Sequence, residues 1–397
     1  MTLKNRSTVK KRDFSFWMIV VSCVCTIAQF YALPHGISFL ALLSNRCLLL
    51  IWILVFGLIV GKRMATPFPR RMVSAVLLIV LSLLSLTVAA VEQIGALGTN
   101  IKELIGFLAL IMMLMYSAFF EIKDIKAVVL FANIAASLIF ISLYYSNLRY
   151  VYTGDYGIAQ IDALTLGYSN PNLTAIYLFV CAINLVIAIF YFKQKLLRFL
   201  LLLDVAHILM MLYKTESRTA ILLIAAFLIL SICSFFYKLP KWCLGVAIIM
   251  PLAYAVIAQW FLPYFEGVTF KGESIFNGRE DIFSRYFNNL DALSFILGDF
   301  NEFKFDNLHN GYVSIAATLG VPGLICFILF LKESIYMNYR PKEFERYESV
   351  AFWGFICIVM YACTEASLFV GSASYGFLLF STFLLFAKPY AAERITE

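Results

Sequence analysis

Residues 173–192 read LTAIYLFVCAINLVIAIFYF, twenty positions without a charge and with Asn184 as the most polar member. As a helix this stretch is about 30 Å long at about 1.5 Å per residue, which is the thickness of a bilayer's hydrocarbon core. It has no polar face to turn to water, so it belongs among lipid and other helices. Comparable runs recur outward in both directions. Before it lie 14–33, 47–60, 72–91, 104–119 and 127–145; after it come 196–213, 219–237, 242–262, 312–331, 350–362 and 375–386.

Composition agrees with that pattern. The 397 residues are 62% apolar and 14% charged, against about 45–50% and about 25% in a soluble domain, which excludes a soluble enzyme. About 246 apolar residues, at about 20 per span, supply about twelve spans. The sequence therefore predicts an all-α polytopic membrane protein of about twelve transmembrane helices, with residues 1–397 as a single integral membrane domain. The first run follows Lys4, Arg6, Lys10, Lys11 and Arg12, and further spans follow at once, so it reads as an uncleaved helix and not a signal peptide. The formal charge of +7 is no sign of nucleic acid in a membrane chain; what matters is where the cations lie. Alternating the loops from a cytoplasmic N-terminus places about 22 of the 31 Lys and Arg inside, including Lys62, Arg63, Arg70, Arg71, Arg340, Lys342 and Arg346. That bias puts both termini in the cytoplasm. The nine cysteines fall in or beside apolar runs without CxxC or Cys/His spacing, so they are read as packing residues, with no metal and no cofactor expected.

Two loops exceed a simple connection, 146–172 and 263–308, and both fall on the outer side of this frame. In the second, Ile282, Phe283, Tyr286, Phe287, Leu290 and Leu293 recur at helical spacing after Asn277-Gly278, which predicts an amphipathic helix lying flat at the membrane interface. Inside the spans the clear ionisable residues are Asp204 and His207, three apart on one helix face. They read either as a proton relay or substrate contact, or as a structural hydrogen-bonded pair.

Four polar signatures stand at outer mouths. Asn170-Pro171-Asn172 opens one span; alone, Asn172 reads as a simple N-cap with Pro171 rigidifying the entry. Ser217-Arg218-Thr219 opens another, following Glu216. A helix N-terminus attracts anions, so Arg218 there suits a shared anionic ligand, while snorkelling or pairing with Glu216 is the plain alternative. Gly278-Arg279 heads the amphipathic loop helix, with Arg285 behind it. Asp306-Asn307-Leu308-His309-Asn310-Gly311-Tyr312 precedes the tenth span, where Asp306 orients the His309 ring if that stretch is helical.

Taken in order from residue 167 to residue 331, and with Leu319-Gly320-Val321-Pro322-Gly323 after them, these motifs resemble the O-antigen ligase and Wzy-type polymerase family of bacterial membrane glycosyltransferases. The resemblance implies that Arg218 and Arg279 bind the diphosphate of a polyprenyl-linked glycan donor and that His309 activates the acceptor hydroxyl. It places Asn170, Asn172, Ser217, Asn310 and Tyr312 at the substrate and Asp306 in support. It further implies a bacterial cytoplasmic (inner) membrane enzyme with an extracytoplasmic site, a glycan acceptor, and a flippase and chain-length regulator as possible partners. Many members carry an acidic residue before the glycine where this chain has Thr318-Leu319-Gly320, so that contact is unassigned.

Such a site moves a sugar chain from a lipid diphosphate to a hydroxyl by displacement at the anomeric carbon, with inversion. Fixed guanidinium forks can meet the charge that grows on the leaving diphosphate without a metal. Polymerase and lipid A core ligase share this donor and differ in acceptor, which no motif reads. A different class, a glycolipid flippase or secondary transporter, would instead call for polar groups at the bilayer midplane and for broken or repeated helices. A glycan polymerase of the shape-and-division type uses the same donor chemistry, but its pattern is not seen.

Overall fold

The computed structural model describes residues 14–63, 70–92, 97–116, 125–146, 163–232, 241–265, 269–270, 273–274, 279–298, 308–340, 343–365, 368–369 and 373–387. These form α1 (Phe14–Ala32), α2 (Ser38–Arg63), α3 (Arg70–Glu92), α4 (Leu97–Tyr116), α5 (Ile125–Tyr145), α6 (Pro171–Tyr191), α7 (Lys195–Lys214), α8 (Arg218–Ile232), α9 (Lys241–Phe265), α10 (Arg279–Asn288), α11 (Ala292–Leu297), α12 (Gly311–Asn338), α13 (Arg346–Tyr361) and α14 (Ala373–Leu384). A hairpin of β1 (Thr269–Phe270) and β2 (Glu273–Ser274) interrupts the 263–308 loop. Apart from this hairpin the regular structure of the described residues is helical, and the chain is a helical membrane protein. Helices 125–145, 171–191, 195–214, 241–260 and 311–338 are each long and apolar enough to cross a bilayer.

Helix α6, the run that opened the reading, is the central post. Its residues 174–188 are all buried, which fits a sequence with no face for water. The single side-chain amide in that buried stretch, Asn184, is wholly enclosed and satisfied: Nδ2 donates to Asn133 Oδ1 on α5 at 3.1 Å, and Thr382 Oγ1 on α14 donates to Asn184 Oδ1 at 3.1 Å. Polar side chains of this kind join helices where lipid offers no alternative partner. At one end of the bundle the start of α5, the end of α6 and the start of α13 meet, with Lys126 Nζ 2.7 Å from Glu348 Oε1 and Tyr191 edge-on to Tyr347.

Asp204 and His207 do share a face of α7, yet they do not bond each other. Ser137 Oγ lies 2.6 Å from Asp204 Oδ2, and His207 Nε2 lies 2.8 Å from Tyr145 Oη, so each is tied separately to α5.

The tenth apolar run differs from expectation. It is longer than a simple span and is broken at Gly320, whose φ of 70° and ψ of 176° leave the helical region. Distances along α9 show how sharply it bends. Asn310 Nδ2 donates to the carbonyl of Pro251, while Tyr336 Oη lies against Gly245. These two points are six residues apart on α9, about 9 Å, but 26 apart on α12, about 39 Å if it were straight. Only a folded-back helix reaches both.

In the 263–308 loop the expected amphipathic helix packs on protein. The expected pattern divides into α10 and α11 at 289–291, and the apolar face of α10 is covered by protein: Phe283 and Tyr286 are buried with Ala255 and Ala258 of α9 and Val313 and Ala317 of α12. Helix α11 lies against the break. A Cβ at Gly298 would stand 2.5 Å from the Thr318 carbonyl, and one at Gly320 would overlap the Ile296 carbonyl oxygen. Ser85 of α3 also donates to the Thr318 carbonyl at 2.6 Å. Gly320→Ala is therefore expected to lower stability by about 2–3 kcal/mol or more, from positive φ and backbone overlap together. Gly36→Ala is the control, since Gly36 shares the positive φ but has open space around its missing Cβ. Thermal melting in detergent distinguishes the two; equal melting temperatures would refute the interlock.

Candidate functional site

Four chain ends converge opposite the Lys126–Glu348 end. The start of α12 is built around Asn310, which is fully enclosed. Its Oδ1 accepts from the Tyr312 and Val313 amides at 2.9 and 3.0 Å, and its Nδ2 donates to the carbonyls of Pro251 and Cys363 at 2.7 and 3.1 Å. One side chain thus caps α12 and fastens it to α9 and to the turn after α13. The Gly311 amide adds a bond to the Ala362 carbonyl at 2.9 Å, and Gly311 lies so close to Phe369 and Ala362 that a Cβ would collide with the Phe369 ring.

His309 precedes this cap, half-buried, with a φ of 48°. Left-handed backbone at a non-glycine residue costs energy and persists where the surroundings impose it, as at functional sites. Leu308–Asn310 is not helical, so the helical geometry by which Asp306 was to orient the ring is not met there. Asp306 itself, like Gly278, lies outside the described residues.

The end of α13 carries Tyr361, which the sequence reading passed over. It is buried, packs on Phe179 of α6 at 5.0 Å, and its Oη lies 3.2 Å from Ser217 Oγ at the start of α8. Tyr361 therefore links the Ser217-Arg218 helix start and, through Ala362 and Cys363, the His309-Asn310 turn. Burial pushes the Cys363 thiol up to about 12, so it stays protonated and is no nucleophile.

The predicted site residues separate by what their side chains are doing. Arg218 is exposed, Arg279 is half-buried with its Nε shut from solvent and without a hydrogen-bond partner, and His309 faces partly outward. Arg285 is exposed. Ser217 is engaged with Tyr361, and Asn310 is fully used in capping. Tyr312 is enclosed among aromatic rings, edge-on to Phe327 and near Phe369. Asn170 caps α6, accepting from the Asn172 amide at 2.8 Å, and the preceding segment is held by the Leu164 amide on the Lys214 carbonyl at 2.8 Å. Phe179, where Tyr361 packs, lies eight residues further along α6, so Asn170 and Asn172 stand about 12 Å above Tyr361. The structure does not bring them to the same level as the Ser217–Tyr361 contact. The Ser217–Tyr361 contact is buried, about two turns along α6 from its start.

Glu365 was also missed. It lies three residues past the run that ends at 362, and the signal available was an acid retained just beyond an apolar stretch. Among the described residues no group of three His, Cys, Asp or Glu side chains is placed to hold a metal. The chain matches no protein-family model, no curated protein and no solved structure.

Proposed function

We propose that the protein is a membrane glycosyltransferase that moves a glycan from a polyprenyl-diphosphate donor to an acceptor sugar hydroxyl on the outer face of a bacterial cytoplasmic membrane. The observation that carries this reading is that the Arg218 helix start and the His309-Asn310 turn are both fastened to the end of α13, while α10, which Arg279 heads, packs on Leu308 and Val313 beside them. Two guanidinium groups and an imidazole at one end of the bundle suit a substrate that combines a diphosphate, a hydroxyl and a lipid tail. The arginines stay charged at any working pH and match phosphate oxygens at two points. In this scheme Arg218, exposed, meets the incoming diphosphate, and Arg279, held by the protein, stabilises the charge left behind as the anomeric C–O bond breaks. His309 takes the proton of the acceptor hydroxyl as that oxygen bonds the anomeric carbon from the opposite side, so the anomeric centre inverts. Asn310, Ser217 and Tyr361 hold these groups in place. The twelve-span frame with both termini inside belongs to the same proposal.

Repeat-unit polymerisation is the preferred form, with ligation to lipid A core as its alternative. The test is incubation of purified protein with a lipid-linked repeat unit. A ladder of products supports polymerase and transfer to lipid A core supports ligase; an unchanged donor refutes both. A flippase or transporter keeps one specific argument, the break in α12 at Gly320 together with the buried Ser137–Asp204 and Asn133–Asn184–Thr382 contacts. Donor that crosses the bilayer of proteoliposomes unaltered would favour it.

A further inference from the structure

Helices α5, α6, α7 and α8 carry one acid between them, Asp204. It lies nine residues from the start of α7 and ten from its end, about 14–15 Å from either, so in a helix able to cross a bilayer it stands at mid-depth. A carboxylate there needs a cation, as Glu348 has in Lys126 at 2.7 Å. Helix α7 packs on α5, α6 and α8, whose cations stand only at helix starts, Lys126 on α5 and Arg218 on α8. On α7 itself Arg198 donates to the Phe192 carbonyl and Lys214 to Tyr144 Oη, while Lys195 opens the helix. The groups beside Asp204 are His207, held 2.8 Å from Tyr145 Oη, and across the seam the Cys181 thiol of α6, 3.7 Å from the Asn133 carbonyl.

Hydrogen counting at Ser137 decides the state of this acid. The Ser137 hydroxyl oxygen lies 2.6 Å from Asp204 Oδ2 and 2.7 Å from the Ile134 carbonyl oxygen. It has one hydrogen, and the carbonyl can only accept. An ionised Asp204 could also only accept, which would leave one of these two short oxygen–oxygen contacts without a proton. The second carboxyl oxygen, Oδ1, is enclosed and has no hydrogen-bond donor, so its share of a negative charge would be unmet. One added proton removes both conflicts: Asp204 donates from Oδ2 to Ser137 Oγ, Ser137 donates to Ile134, and Oδ1 becomes an uncharged carbonyl oxygen. We infer that Asp204 is a proton-binding site at mid-depth in the seam between α5 and α7, with Ser137 accepting the hydrogen bond of the bound proton. The site stands whether or not the protein transfers a glycan.

The test is infrared spectroscopy of the full chain in phosphatidylcholine vesicles at neutral pH, with Asp204→Asn as reference. Asparagine is uncharged and its Nδ2–H can take over the bond to Ser137, so the variant should melt near the wild type. The difference between the two spectra is expected to contain the C=O stretch of a carboxylic acid, and carboxylate bands in its place would overturn the inference. Ser137→Ala, which removes the acceptor, should shift that acid band to higher frequency; an unmoved band would refute the role of Ser137. Dicyclohexylcarbodiimide, an apolar reagent whose C=N bond adds a carboxyl O–H, should modify residue 204, with the product lost in Asp204→Asn and declining as rising pH ionises the acid. Labelling at 204 that grows with pH would count against a bound proton. Should Asp204→Asn fail to fold, wild-type protein made with carboxyl-13C aspartate answers the same question: an isotope-shifted acid band at neutral pH supports the site, and its absence refutes it.

Discussion

Arg218→Lys and Arg279→Lys together are expected to reduce transfer by at least about 10²-fold, the loss typical when one preorganised donor to a developing anion is removed. Charge is conserved in these variants, so the effect isolates the planar fork, which an ammonium cannot reproduce. The fold should survive. Arg218 is exposed and Arg279 is half-buried at the head of a ten-residue helix, so neither replacement opens a cavity in the bundle. The two single variants should differ in kind: Arg218→Lys raises donor KM, and Arg279→Lys lowers kcat. Arg285→Lys serves as the control because Arg285 is exposed on α10. Normal turnover by the double variant, at normal protein level, would return both arginines to the role of surface cations.

His309→Gln is expected to lower transfer by about 10²–10⁴-fold while leaving lipid-donor affinity intact, since general-base catalysis contributes on that scale and the diphosphate contacts belong to the arginines. Glutamine can form a hydrogen bond but takes no proton at neutral pH. The backbone complicates that variant, because φ at position 309 is positive. His309→Asn resolves this, as asparagine adopts the left-handed region readily and is equally unable to act as a base. Loss of transfer in both variants, with donor binding and melting temperature kept, supports the base. If Asn restores what Gln loses, the position serves the turn that leads into Asn310, and the base must be sought elsewhere, with Asp306 first.

Distance along the chain also explains why the site was only partly legible from sequence. The entries to α6 and α12 could be read because capping is local, the acceptor and the amides it satisfies lying two or three residues apart, although the cap expected at Asn172 is supplied by Asn170. Arg218 and Arg279 were visible as cations at helix heads. The partners that gather them were not, since Ser217 meets Tyr361 across 144 residues and Asn310 meets Pro251 across 59. Glu365 looked like an ordinary residue at the end of a span, and its burial appears only when the turn after α13 is fastened to α12.

By itself the sequence determined that this is a helical membrane protein, where most of its helices lie, and where several of them begin. Those properties depend on uninterrupted apolar length and on contacts within one turn, both written in consecutive residues. The tertiary structure alone decided that α12 bends back at Gly320, that the apolar face of α10 packs on α9 and α12, and that Tyr361 meets Ser217 at the start of α8 while Glu365 is buried after α13. The physical reason is that apolar helices in a bilayer carry no polar face to announce their neighbours. Their pairing is set by close packing and a few distant hydrogen bonds, such as Asn133–Asn184–Thr382, and leaves no period in the sequence.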